Sequence, residues 1–315
     1  MLQKLLPAFL LLAIAACQSS PKGYDPPNLR KLGAEEVLER ARQKRTLSPY
    51  VVFKDSVGSP LSDEYKEKLD KGELAYDYYV DVNDELVELI VRESTYEDDL
   101  LDVQHRTLIA GLRSWEQVEP DKSVDCRVQK RILQMVYKRE KELQKVRDST
   151  DLERFMRGFS RVRFSRNSPY QVIDSMFQEN KRLVFGILEK CGAPSKREVG
   201  EQGMMGLFYT IQHMAEPRLR VLYYPVIQEC VAKGDLKPSC LALMEDRMMR
   251  DFGKKQLYGS QLIKKDTSDV WTLYPVRQPE GLHERRKEMG MKPIEDYLES
   301  LAVEYTLEGL GIEEE

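Results

Sequence analysis

Between Gly203 and Gln261 the apolar residues of this 315-residue chain recur at helical spacing more regularly than anywhere else, and that order constrains the fold most. At about 100° per residue, Met204, Leu207, Phe208, Ile211, Met214 and Ala215 share an arc of about 120°, the width of a core face. The opposite side carries Gly203, Gly206, Tyr209, Thr210 and His213. Small residues beside a histidine leave room for a close neighbour, either another helix or a ligand.

The rest of the chain extends the helical reading. Ala34, Val37, Leu38 and Ala41 predict a helix within Leu32–Arg45, and a short acidic helix is expected from Ser62. Leu86, Leu89, Ile90, Leu100, Leu101, Leu108 and Leu112 predict one or two long helices ending before Pro120. Further helices are expected over Cys126–Val146, Tyr170–Lys190, Leu282–Met289 and Pro293–Leu307. Ala75–Val82 is ambiguous, the stretch LSPYVVFKDSVGSP stays open between strand and extended chain, and Thr272–Val276 reads as a short extended piece. The expected fold class is therefore all-α: an irregular helical domain with at most one or two very short strands.

Residues 1–17 are an address. One positive charge, Lys4, precedes an apolar run from Leu5 to Ala16 that is too short for a comfortable membrane span. Ile14-Ala15-Ala16-Cys17 resembles a bacterial lipobox, which implies that Cys17 becomes the lipidated first residue of a mature lipoprotein. Several acyl chains make an anchor that does not readily dissociate. Gln18, where an Asp would signal retention at the inner membrane, implies the outer membrane and a chain facing the periplasm. The expected organisation is a leader at 1–17, a flexible tether at 18–30 and an acidic, partly helical region at 31–99. A main helical domain at 100–307 and an acidic tail at 308–315 follow.

Charge is segregated along the chain. Asp63–Asp102 holds 15 acidic and 4 basic side chains, a net −11, whereas Arg127–Arg166 holds 13 basic and 5 acidic, a net +8. The two stretches are expected to face each other within the fold, with a charged partner as the alternative. The basic stretch interleaves Arg154, Arg157, Arg161, Arg163 and Arg166 with Phe155, Phe159, Phe164 and Tyr170. In a periplasmic protein that pattern suits a solvated face or an anionic envelope component. The formal charge of −4 gives no reason to expect nucleic acid.

Cys126, Cys191, Cys230 and Cys240 allow two disulfides in an oxidising compartment. Cys230 and Cys240 flank a helix–turn–helix connection and are expected to pair, which leaves Cys126 for Cys191 by elimination. There is no CxxC, and His105, His213 and His283 lie far apart, so no metal or cofactor is expected.

A lone helical histidine is usually structural, and acid–base work at His213 would require a carboxylate beside it. Asp246 and Glu245 are the candidates, since the helices on either side of Gly234 fold back on each other. Gln212-His213, Asp246-Arg247, Gly253, Gln256-x-Tyr258-Gly259-Ser260-Gln261 and Arg285-Arg286 before Gly290 follow in that order. The series resembles a bacterial domain of unknown function with QH(A)D, DR, QxYGTQ and RR motifs. Asp102, Arg106, Asn180, Gly192-x-Pro194 and Val199-Gly200 extend the likeness to roughly Leu100–Tyr297, with 120–170 as an insertion. The acid after QHA is missing, so its role would fall to Glu216, and Ser260 stands for the usual Thr.

Gln212, Arg247, Gln256, Tyr258, Gln261, Arg285 and Arg286 form a donor-rich set suited to an anionic or carbohydrate-like ligand. The same residues would equally serve as a polar network cross-bracing the last helices. Two functions follow as expectations. One is a lipid-anchored binding or scaffold module, with an envelope component or a partner protein as its target. The other is an envelope hydrolase or transferase with His213 as general base and Asp246, Arg247, Arg285 or Arg286 orienting the substrate.

Overall fold

The computed structural model describes residues 24–45, 50–62, 65, 68, 74–113, 116–147, 169–264, 271–301 and 305–306. The leader with Cys17, most of the tether, most of the helix expected from Ser62, the Arg154–Arg166 segment and the acidic tail lie outside the described residues. The chain forms two compact units. One holds the described residues through Gly111 together with Asp251–Lys254, and the other holds Leu112–Arg250 and the described residues from Lys255 on.

The first unit overturns the all-α expectation. Strands β1 (Arg30–Lys31), β2 (Val52–Asp55), β3 (Leu74–Val80) and β4 (Leu86–Glu93) form a mixed sheet in the order β1-β3-β4-β2. β3 runs antiparallel to both β1 and β4, while β2 runs parallel to β4. Helices α1 (Ala34–Arg42) and α2 (Tyr96–Ala110) complete the unit. The 3/4 spacing of Leu86, Leu89 and Ile90 misleads here because β4 is an inner strand. Leu89, Ile90 and Val91 are all buried, so the run shows no two-residue alternation. A short apolar run cannot be assigned by period alone; its Val and Ile content favours a strand.

A compact turn joins β3 to β4. Asp81 Oδ1 accepts the N–H groups of Asn83 and Glu85, both at 2.9 Å, and Asp84 takes a left-handed φ of 61°. Asp84 in turn collects Arg30, Arg40 and Arg45, and Arg92 bridges Asp77 and Asp98. These described members of the acidic stretch thus find partners within their own unit, while residues 148–166 of the basic stretch lie outside the described residues.

The second unit is mainly helical. A 3₁₀ turn at Cys126–Val128 leads into α3 (Gln129–Arg147), followed by α4 (Pro169–Cys191), α5 (Lys196–Gln212), α6 (Pro217–Ala232) and α7 (Pro238–Asp251). The short helices α8 (Leu282–Glu288) and α9 (Ile294–Ser300) close it, with a small sheet of β5 (Leu262–Lys264), β6 (Trp271–Leu273) and β7 (Tyr305–Thr306) in that order. The helix expected over Pro293–Leu307 is therefore shorter, and its end is replaced by β7. Among the described residues no helix is long and apolar enough to cross a membrane.

Helix α5 starts at a capping box, in which Ser195 Oγ accepts the Glu198 N–H and Glu198 Oε2 accepts the Ser195 N–H at 2.8 Å. Its apolar face is buried as the wheel requires, and so is the glycine side. A Cβ on Gly206 would lie 2.3 Å from the Leu133 carbonyl oxygen of α3. The room beside His213 is thus taken by a helix. Cys126 and Cys191 form a disulfide tying the start of α3 to the end of α4. The expected Cys230–Cys240 bridge is not made. Both are free, buried thiols turned into the core on α6 and α7, and burial pushes them up to about 12 and about 11.

Candidate functional site

The loop 256–261 follows α7 and is held from both sides. Asp246, fully buried in α7, accepts three of its backbone N–H groups: Leu257 at 2.9 Å and Tyr258 at 3.0 Å on Oδ1, and Ser260 at 2.8 Å on Oδ2. Burial pushes the Asp246 carboxyl up while these donors pull it down, and the upward effect is the larger. From the other side the arginine pair donates to carbonyls. Arg286, 1% exposed, reaches Tyr258 O at 2.6 Å and Lys292 O at 2.7 Å. Arg285 reaches Leu257 O at 3.1 Å and Arg277 O and Gln278 O at 2.8 Å. Burial lowers both guanidiniums from their ordinary range.

Gln256 closes the loop on itself. Its Oε1 accepts the Gln261 N–H at 2.8 Å, and its Nε2 donates to Gln261 O at 3.0 Å and Tyr274 O at 2.6 Å. Gly259 has φ of 66°, where a side chain is strained, and packs against Ile294 and Leu282. Tyr258 hydrogen-bonds Glu245, and Tyr224 donates to Glu245 Oε1 at 2.6 Å. Burial, reinforced by the Glu245 charge, pushes both phenols well up. Asp246, Gln256, Arg285 and Arg286 therefore spend these atoms on main chain. They cross-brace a loop.

A second polar cluster lies at the end of α5. His213 is its C-cap, and the ring stacks on Tyr209 at 5.4 Å, which stacks on Tyr137 at 6.1 Å. His213 Nδ1 lies 3.0 Å from Oε2 of Glu140, a carboxylate 1% exposed on α3. Asn180 of α4, fully buried, donates Nδ2 to Glu140 Oε1 at 2.9 Å. Nearby in sequence, buried Lys181 pairs with buried Glu216 at 2.9 Å.

The two clusters are joined by main chain. Gln212 O accepts Arg247 Nη1 at 3.0 Å and Arg220 Nε at 3.3 Å, while Arg247 Nε reaches Gln261 Oε1 at 3.2 Å. Gln212 Nε2 donates to Leu243 O at 2.9 Å. So the carboxylate beside His213 is Glu140. Asp246 is occupied by the loop and Glu245 by the two tyrosines.

Glu140 was missed because it falls in a stretch read as an insertion. A signal was present: Leu133, Val136, Glu140 and Leu143 lie on one buried stripe, and an acid in such a stripe is the informative exception. Asn180 interrupts the buried residues of α4 in the same way. No group of three or more His, Cys, Asp or Glu side chains suited to a metal occurs among the described residues.

No curated protein and no solved structure matches the chain. Residues 170–309 match the model of a family of unknown function, DUF6624; the match takes in the motif residues from Asn180 to Arg286 and leaves Asp102, Arg106 and Glu140 outside it, so the likeness begins later than the expected Leu100.

Proposed function

We propose that this is a lipid-anchored protein facing the periplasm from the outer membrane, and that its helical unit binds an anionic envelope component. The observation that supports binding is the outward side of α3. Lys130, Arg131 and Lys138 are exposed there and make no ion pair with a described residue, while Leu133, Val136, Glu140 and Leu143 face inward. A helix exposing three such cations draws anions with a strong salt dependence. The anchor rests on the lipobox-like Ile14–Cys17.

Vesicles of neutral lipid, with and without anionic phospholipid, test the binding. The chain from Gln18 on, which lacks the acylated Cys17, should sediment with the anionic set, and Lys130→Glu/Arg131→Glu/Lys138→Glu should lose at least about tenfold of that affinity. Equal sedimentation with both sets would sink the reading. For the anchor, Cys17→Ser should abolish acyl labelling in cells, and persistent labelling would refute it.

One contact favours a second reading, a hydrolase or transferase with His213 as base: the pairing of Nδ1 with buried Glu140. In that case Arg285 and Arg286 do not orient the substrate, because their bonds go to carbonyls of the unit itself.

A further inference from the structure

Little chain lies between the anchor and the first unit. Six residues separate Cys17 from Tyr24, and Tyr24 is pinned to the end of β2. Its N–H donates to Ser56 O at 2.9 Å, and its hydroxyl accepts Lys54 Nζ at 2.9 Å. The Lys54 ammonium also lies 4.8 Å from the centre of the Tyr24 ring. The ring packs so closely on Gly58 that a Cβ there would lie 2.7 Å from it. Seven extended residue steps span at most about 25 Å, so a lipid on Cys17 keeps the turn after β2 within about that distance of the bilayer.

That turn is closed by its own hydrogen bonds, and its tip is apolar. Asp55 Oδ1 accepts the N–H groups of Val57 at 3.0 Å and Ser59 at 2.8 Å, and the Asp55 N–H donates to Ser59 O at 2.8 Å. Val57 at the tip is 75% exposed. Val52 and Phe53 on β2 are 50% and 39% exposed, and Pro60, bridged to Lys54, is exposed beside them. β2 is an edge strand, so these four residues form a rim of the sheet. Residues 56–62 carry no charge, whereas Asp63–Asp102 in the same unit carries a net −11. A single exposed valine is ordinary, but apolar side chains gathered on an uncharged rim at the anchor point mark a contact surface.

We propose that the first unit docks on the surface of the bilayer through the rim of Val52, Phe53, Val57 and Pro60, with zwitterionic lipid as its partner. The proposal rests on the reading of Cys17 as the lipidated anchor and names the face that the anchor turns to the membrane. A few apolar side chains hold a membrane weakly by themselves. The anchor makes their docking intramolecular, at an effective concentration of about millimolar for a short linker, so weak contacts suffice. Anionic headgroups repel the acidic surface of the unit, which leaves the uncharged rim as the side that approaches.

The test is fluorescence quenching in the acylated full chain, reconstituted in phosphatidylcholine vesicles with brominated acyl chains. Anionic lipid is left out, so the α3 cations contribute nothing. A polarity-sensitive thiol label is placed on Val57→Cys or, as the control, on Val82→Cys; Cys230 and Cys240 are buried and do not take it in the folded chain. Val82 is 93% exposed in the turn between β3 and β4, at the other end of the sheet. The Val57 label should shift to the blue and be quenched at least about threefold more than the Val82 label. Equal quenching of the two labels, quenching of neither, or the reverse order, in a chain that sediments with the vesicles, overturns the docking and leaves the anchor standing. A chain that does not sediment with them overturns both.

Discussion

The loop 256–261 and the end of α5 contain much the same kinds of side chain and use them in opposite ways. In the loop, Asp246, Gln256, Arg285 and Arg286 turn N–H and carbonyl groups of the main chain into a closed network. At the end of α5, Glu140 holds a histidine and an asparagine by their side chains, and the Asn180 Oδ1 is buried with no hydrogen-bond partner among the described residues. The loop 256–261 is therefore chiefly a device for shaping backbone. The chemistry is to be sought where polar atoms are left unspent.

The largest effect should come from Asp246→Ala. It strands three N–H donors, that of Ser260 buried and those of Leu257 and Tyr258 partly so, and removes the carboxylate that held them, a loss of about 3–5 kcal/mol. Urea unfolding measures it, and a loss below about 1 kcal/mol would mean that the loop does not depend on this brace. Reducing the Cys126–Cys191 bridge, which closes 65 residues, should cost about 4 kcal/mol on the chain-entropy account. Gly206→Ala drives a methyl into the Leu133 carbonyl and should cost about 1–3 kcal/mol by overpacking. His213→Ala removes a donor from the buried Glu140 carboxylate and should cost about 1–3 kcal/mol. A loss as large as that of Asp246→Ala would erase the contrast between the two regions.

The buried thiols add a pH test. Their folded values lie above the ordinary 9, so the stability they contribute is full below about 9 and is lost as the pH rises through about 11 to 12. Native protein should expose neither Cys230 nor Cys240 to a thiol reagent at pH 8, and denatured protein should expose both. Rapid labelling of the folded chain would contradict their burial.

Much of the helical body was legible. The wheel found the buried face of α5 because helical period and burial agree along Met204, Leu207, Phe208 and Ile211. The sheet was hidden because β4 is buried on both faces and loses the alternation that marks a strand. The choice between ligand-binding set and cross-brace at Gln256–Gln261 was open in the sequence, since residue type does not reveal whether a guanidinium meets a ligand or a carbonyl. Glu140 was legible only as a misplaced acid, since its partners are 40 and 73 residues away. The Cys230–Cys240 pairing failed because proximity along the chain says nothing of which way each thiol turns.

Amide hydrogen exchange across the native helical unit tests the central contrast most directly. The account predicts that Leu257, Tyr258, Ser260 and Gln261 exchange as slowly as the buried core of α5, opening only with the unit as a whole. Exchange of these four amides at the rates of an open surface loop would contradict it.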